Sequence, residues 1–186
     1  MAIKTFTTGE VLTASDTNTY LANSGLVYVT SATVGTAVSS VTVSSAFSST
    51  YDNYQIVYTG GAASSTANLG IKLGSTATGY YGNLIYSLPS SATFFGLGVN
   101  NGTSWTVVGD CTAGGGARLA CNLYAPNLAA RTGISAQYMG TGTSSAPFGF
   151  FGGNLDDATQ YTAFTMTPTA GTLTGGTITV YGYRKA

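Results

Sequence analysis

The chain has 186 residues, of which only 6% are charged, six basic and six acidic, giving a formal net charge of zero. So few cations exclude counterion-driven nucleic-acid binding and attraction to an anionic membrane surface. Solubility must instead rest on Ser and Thr, roughly a quarter of the residues.

The length suffices for one large β domain with a real core. No apolar run approaches the about 18 residues of a membrane-spanning helix. The N-terminus carries Lys4 but lacks the apolar run of about 7–15 residues that a secretion signal needs, so synthesis in a cytoplasm without signal-directed export is expected.

In chain order, "LTASDTNTYLANSG" is the one stretch that reads as a helix. Thr13 suits the N-cap, Asp16 sits three residues on, and Gly25 marks the stop. A helix of about ten residues is short for standing alone. It must lie against its own β domain or against another protein. On the second alternative residues 1–24 form a docking segment, with Phe6, Val11, Leu12, Tyr20 and Leu21 as its apolar contacts.

Everything after it reads as strands and turns. In "YQIVYTG", Tyr54, Ile56 and Tyr58 share a face, and in "ANLGIKLG" so do Leu69, Ile71 and Leu73. "GISAQYMG" sets Ile134, Ala136 and Tyr138 together, and "YTAFTMTP" pairs Phe164 with Met166. Such period-2 alternation marks antiparallel strands with one face inward and one wet. Turn signals fall at 59–61, 100–102, 114–116, 141–143 and 174–176. The expectation is an all-β antiparallel sandwich or jelly roll over residues 25–186, with one short N-terminal helix.

Three local predictions are sharper. Asn101-Gly102 suits a two-residue type I′ turn, which would set Gly98 opposite Trp105. "GDCTAGGGARLAC" places Cys111 and Cys121 symmetrically about Gly116. A hairpin centred there brings them near enough for a disulfide, the alternative being two small apolar core residues. The aromatic stretches "TGYYGNLIY" and "APFGFFGGNL" offer Tyr80, Tyr81, Phe148, Phe150 and Phe151 either as ligand-facing rings or as core and seam filling.

The catalytic inventory is thin. No histidine is present, which excludes Ser-His-Asp and Cys-His arrangements. No phosphate-cradling loop occurs, and two cysteines without histidine fit no known zinc site. Glycan hydrolysis needs two carboxylates about 5–9.5 Å apart, and Asp52, Asp110, Asp156 and Asp157 are the candidates beyond the N-terminal segment. Asp156-Asp157 reads as a solvated turn rather than a calcium loop. No enzyme, metal or cofactor is expected.

"KTFTTGEVLTASDTNTYLANSGLVYV" resembles the opening of many bacteriophage structural proteins, in which a GEVLTASDxN segment precedes the first strand. "SSAFSSTYDNYQIVYTG" and the closing "GGTITVYGYRKA" are similar to segments of phage tail-fibre-like and virion-surface proteins. The resemblance covers both ends and the early middle; residues 75–150 carry none of it. It implies a β-sandwich displayed on a particle, as a tail fibre, head fibre or capsid decoration, often homotrimeric. A receptor- or glycan-binding adsorption module is the alternative, and glycan hydrolysis by Asp52, Asp110, Asp156 or Asp157 a distant third.

Scarce charge independently favours self-association, because few residues are left to guard sheet edges. In "GTITVYGYRKA", Ile178 and Val180 face one way and Tyr181 and Tyr183 the other, the tyrosines being candidates for an oligomer seam. The expected partners are copies of itself, other virion proteins and a host-surface glycan.

Overall fold

A computed structural model of the chain describes residues 6–17, 25–91, 93–114, 116–141 and 146–185. Among them are thirteen strands: β1 (Leu26–Thr33), β2 (Val41–Val43), β3 (Asn53–Ala63), β4 (Ala67–Leu73), β5 (Tyr80–Ser87), β6 (Phe94–Gly102), β7 (Trp105–Thr112), β8 (Gly116–Tyr124), β9 (Thr132–Met139), β10 (Phe148–Leu155), β11 (Phe164–Pro168), β12 (Leu173–Thr174) and β13 (Thr177–Tyr183). Every strand ladder is antiparallel. The expected all-β sandwich is the observed fold.

A broad layer runs β1-β13-β3-β8-β9-β10-β5-β6, and a narrow one runs β2-β11-β4-β7. They join at β8. One of its edges pairs with β3 along its length, from Asn53↔Tyr124 to Gly61↔Ala117. The other edge is shared. β7 takes its first residues, with Asp110 opposite Arg118 and Cys111 opposite Ala117, while β9 takes Ala120 to Tyr124. Past Arg118, therefore, β7 and β9 fork apart, and the space between the layers opens there.

The core fills that space. Leu69, Ile71 and Leu73, Trp105, Phe164 and Met166 from the narrow layer are buried against Ile56, Leu84, Leu123, Ile134, Phe151 and Val180 from the broad one. The alternation read from the sequence holds at each quoted strand, because every apolar member of those faces is buried. Each such side chain contributes about 1.5–3 kcal/mol over its exposed state. The buried tyrosines keep their hydroxyls bonded. Tyr54 donates to the Ser48 carbonyl at 2.7 Å, and Tyr58 to the Gly175 carbonyl at 2.9 Å. The Tyr80 hydroxyl accepts from the Leu73 amide at 2.8 Å.

Several expectations are corrected. The turn signal at 59–61 lies inside β3, where Gly60 (φ 75°) makes a bulge instead of a reversal. Asn101 has positive φ (49°), but Gly102 pairs with Tyr80, and β6 and β7 form no hairpin. The chain crosses between layers there, and the crossing buries Trp105 completely. The indole does cover a glycine, but it is Gly153: a Cβ added there would come within 3.1 Å of the ring nitrogen. Gly98 faces Asn83 instead.

The β7–β8 turn is centred on Gly114, not Gly116, so Cys111 faces Ala117 while Cys121 lies beside Ile56 and Ala136. Both cysteines are free and buried. The core alternative is the observed one.

At the N-terminus Thr13 caps α1 (Ala14–Asp16) with a reciprocal capping box, its hydroxyl accepting from the Asp16 amide at 3.1 Å. Gly25 has φ 79°. Tyr20, Leu21 and the rest of the expected helix lie outside the described residues.

Candidate functional site

The fork leaves a cavity of about 810 Å³ between the layers, lined among others by Asn68, Tyr86, Leu97, Asp110, Tyr138 and Thr141. β4 supplies Asn68, β7 supplies Asp110, and Tyr138 is the next-to-last residue of β9, three positions before Thr141. Asp110 is buried. One of its oxygens accepts from the Thr141 amide at 2.8 Å and hydroxyl at 3.0 Å, and from Thr112 Oγ1 at 3.3 Å. The other lies 3.3 Å from the Tyr138 hydroxyl, whose single proton is shared between it and Asn68 Oδ1.

Burial pushes the Tyr138 hydroxyl pKa up, and the neighbouring Asp110 carboxylate pushes it further. This tyrosine stays protonated and acts as a donor. Tyr86 stacks on Phe95, with centroids 5.5 Å apart, and forms one wall. The site thus offers aromatic surface, amide and hydroxyl groups and one carboxylate, a set suited to holding a neutral polar ligand.

The other candidate carboxylates are elsewhere. The Tyr138 row of the sheet lies at Gly149 of β10, six residues before Leu155, so about 20 Å of strand separates Asp110 from Asp156 and Asp157. That exceeds the spacing glycoside hydrolysis uses. Asp156 pairs with Arg131 at 2.7 Å and Asp52 with Lys185 at 2.7 Å. Asp157 accepts from Thr159 Oγ1 at 2.7 Å, Tyr161 Oη at 2.8 Å, Thr159 N at 2.8 Å and Thr76 Oγ1 at 3.1 Å, which hold its carboxyl down at about 2. Among the described residues no cluster of three metal-ligating side chains occurs.

The predicted aromatics divide. Phe148 and Phe150 stand exposed on the outer face of β10, and Tyr81 is half-buried. Tyr80 and Phe151 are core residues, a correction to their reading as ligand-facing rings: on these strands the alternate positions point between the layers. Tyr80 meets Trp105 edge-on at 5.0 Å. Tyr181 and Tyr183 are half-buried on the outer face, Tyr181 against Tyr28 and Tyr183 donating to Asn122 Oδ1 at 2.7 Å. Phe6, Val11 and Leu12 are exposed, and no residue of α1 is buried.

Sequence reading missed Asn68, Tyr86 and Thr141, which lie far apart in the chain and meet only through the fork. No local signal marks them. Ile85, Phe94 and Met139, exposed beside Phe148 and Phe150, were legible as the second face of their strands. No protein family, curated protein or solved structure matches this chain.

Proposed function

We propose that this is a non-enzymatic structural protein of a bacteriophage virion surface, a tail fibre, head fibre or capsid decoration, docked through residues 1–24 and displaying the sandwich as a homo-oligomer. One observation carries the reading: among the described residues before β1, a capped turn has no buried residue, and beside it Val11 and Leu12 are exposed. Apolar side chains such as Val11 and Leu12, exposed beside a self-capped turn, are suited to another protein's surface. The phage-like opening motif supplies the identity of that surface.

Removal of residues 1–24 tests it. The truncated chain is expected to melt like the full chain but to lose attachment to particles. Attachment that survives truncation, or a body that no longer folds, refutes the docking role. Electron microscopy of intact particles then separates a tail from a head position.

A second reading, a glycan-binding adsorption module, is favoured by the fork cavity, where Tyr86, Asn68 and Asp110 combine a ring face with hydroxyl-binding groups. Saturation-transfer NMR with neutral saccharides checks it: transfer lost in Tyr86→Ala supports the module, and no transfer in the parent chain refutes it.

A further inference from the structure

The outer face of β9, β10, β5 and β6 carries a continuous apolar patch. Phe150 lies opposite Ile85 on one side and Gln137 on the other. One row along, Phe148 lies between Met139 and Ser87, and Ser87 faces Phe94. Directly paired residues of an antiparallel ladder share a face, so these side chains form two adjacent rows.

All are left in solvent: Phe94 is 75% exposed, Phe150 71%, Ile85 59%, Phe148 54% and Met139 47%. Beside them runs a shallow floor. Gly96 faces Ile85, and Gly152 lies opposite Asn83, which in turn faces Gly98. A Cβ added at Gly152 would meet nothing within 4 Å.

The size and chemistry of this patch say what covers it. At about 200 Å² per aromatic side chain, the exposed parts of the phenylalanines with Ile85 and Met139 present roughly 500 Å² of apolar surface. A standard interface takes about 800 Å² per partner, of which roughly 65% is apolar in homodimers, again about 500 Å². The patch is therefore the apolar centre of one normal-sized interface.

No residue of β5, β6, β9 or β10 is charged. The surroundings are uncharged too: Gln137, Asn83, Ser135 and Ser87. A charged partner gains nothing here, whereas an identical face is complementary to it, with protruding rings to set on a glycine floor. Among the described residues β6 pairs only with β5, and it carries neither charge nor proline to guard its other edge.

We infer that the β9–β10–β5–β6 outer face packs against the same face of further copies of this chain, sheet on sheet about a common symmetry axis. This rests on the self-association in the reading above and names its surface. Sheets packed this way sit about 10 Å apart, which buries the phenylalanines of both copies.

The full chain is tested by sedimentation equilibrium with circular dichroism as the folding control. A mass of two or three times 18.8 kDa is expected. Phe150→Lys buries an unpaired charge at the seam, and Gly152→Arg raises a side chain from the floor at a position whose Cβ has open space. Each is expected to lower the mass to one chain at the same concentration, with the β spectrum kept. A parent chain that is already monomeric overturns the inference. So does an oligomer that survives both variants, or one dissociated by Tyr181→Lys and not by Phe150→Lys. Particle attachment is read separately by the truncation, so docking and self-association fail independently.

Discussion

Asp110 on β7 accepts a hydrogen bond from the backbone amide of Thr141 at 2.8 Å, across the gap where β7 and β9 part. A buried carboxylate here takes the place of ladder bonds that two diverging strands cannot make to each other. Asp110→Ala leaves the Thr141 amide without its acceptor, at a cost of about 3 kcal/mol. Asp110→Asn keeps one acceptor oxygen and should cost less. Urea unfolding of both variants checks the order; equal stability of all three chains contradicts the bracing role.

Asp157 sets an acid limb. Its carboxyl titrates at about 2 instead of 3.8 because Thr159, Tyr161 and Thr76 donate to the charged form. The folded state thus holds its proton less tightly than the unfolded chain. This stabilisation is complete above about pH 5 and is lost as pH falls through 3.8 towards 2. Asp157→Asn should lower the urea midpoint at pH 6 and leave it nearly unchanged at pH 2. An equal deficit at both pH values contradicts the linkage.

Both thiols should be silent in the native protein. Burial pushes Cys121 up to about 12, and burial with the neighbouring Asp110 pushes Cys111 up to about 11. Neither is ionised near pH 8, and neither faces the other across a ladder. Titration with a chromogenic disulfide at pH 8 should find no reactive thiol in the folded chain and two in denaturant, with no change on prior reduction.

Trp105, the sole tryptophan, ties the two layers. It is fully buried, and its Nε1 donates to the Tyr81 carbonyl at 3.2 Å and more weakly to that of Asn154 at 3.4 Å. Trp105→Ala should cost about 3–5 kcal/mol. Its fluorescence should resist iodide quenching until the global transition. Quenching that sets in before that transition would reveal a loose junction between the layers.

The sequence by itself determined the fold class, which faces of the quoted strands are buried, and the Thr13–Asp16 cap. Each is decided by residues a few positions apart, since side chains alternate along a strand and a cap spans one turn. Its misplaced features are those where a local signal lost to a distant gain. Asn101-Gly102 invites a hairpin, yet the chain crosses layers there, bringing the Trp105 ring into the core. Gly60 and Gly61 look like a turn, yet the bulge keeps β3 on β8 and β13. The cysteines are symmetric in the sequence, but a reversal at Gly114 puts Cys111 opposite Ala117. Only the tertiary structure brought Asn68, Asp110, Tyr138 and Thr141 to one cavity, and only it left Phe94, Ile85 and Phe150 uncovered together. The first depends on β8 sharing one edge between two strands, the second on a narrow layer that covers just one side of the broad one. Neither is a property of any single segment.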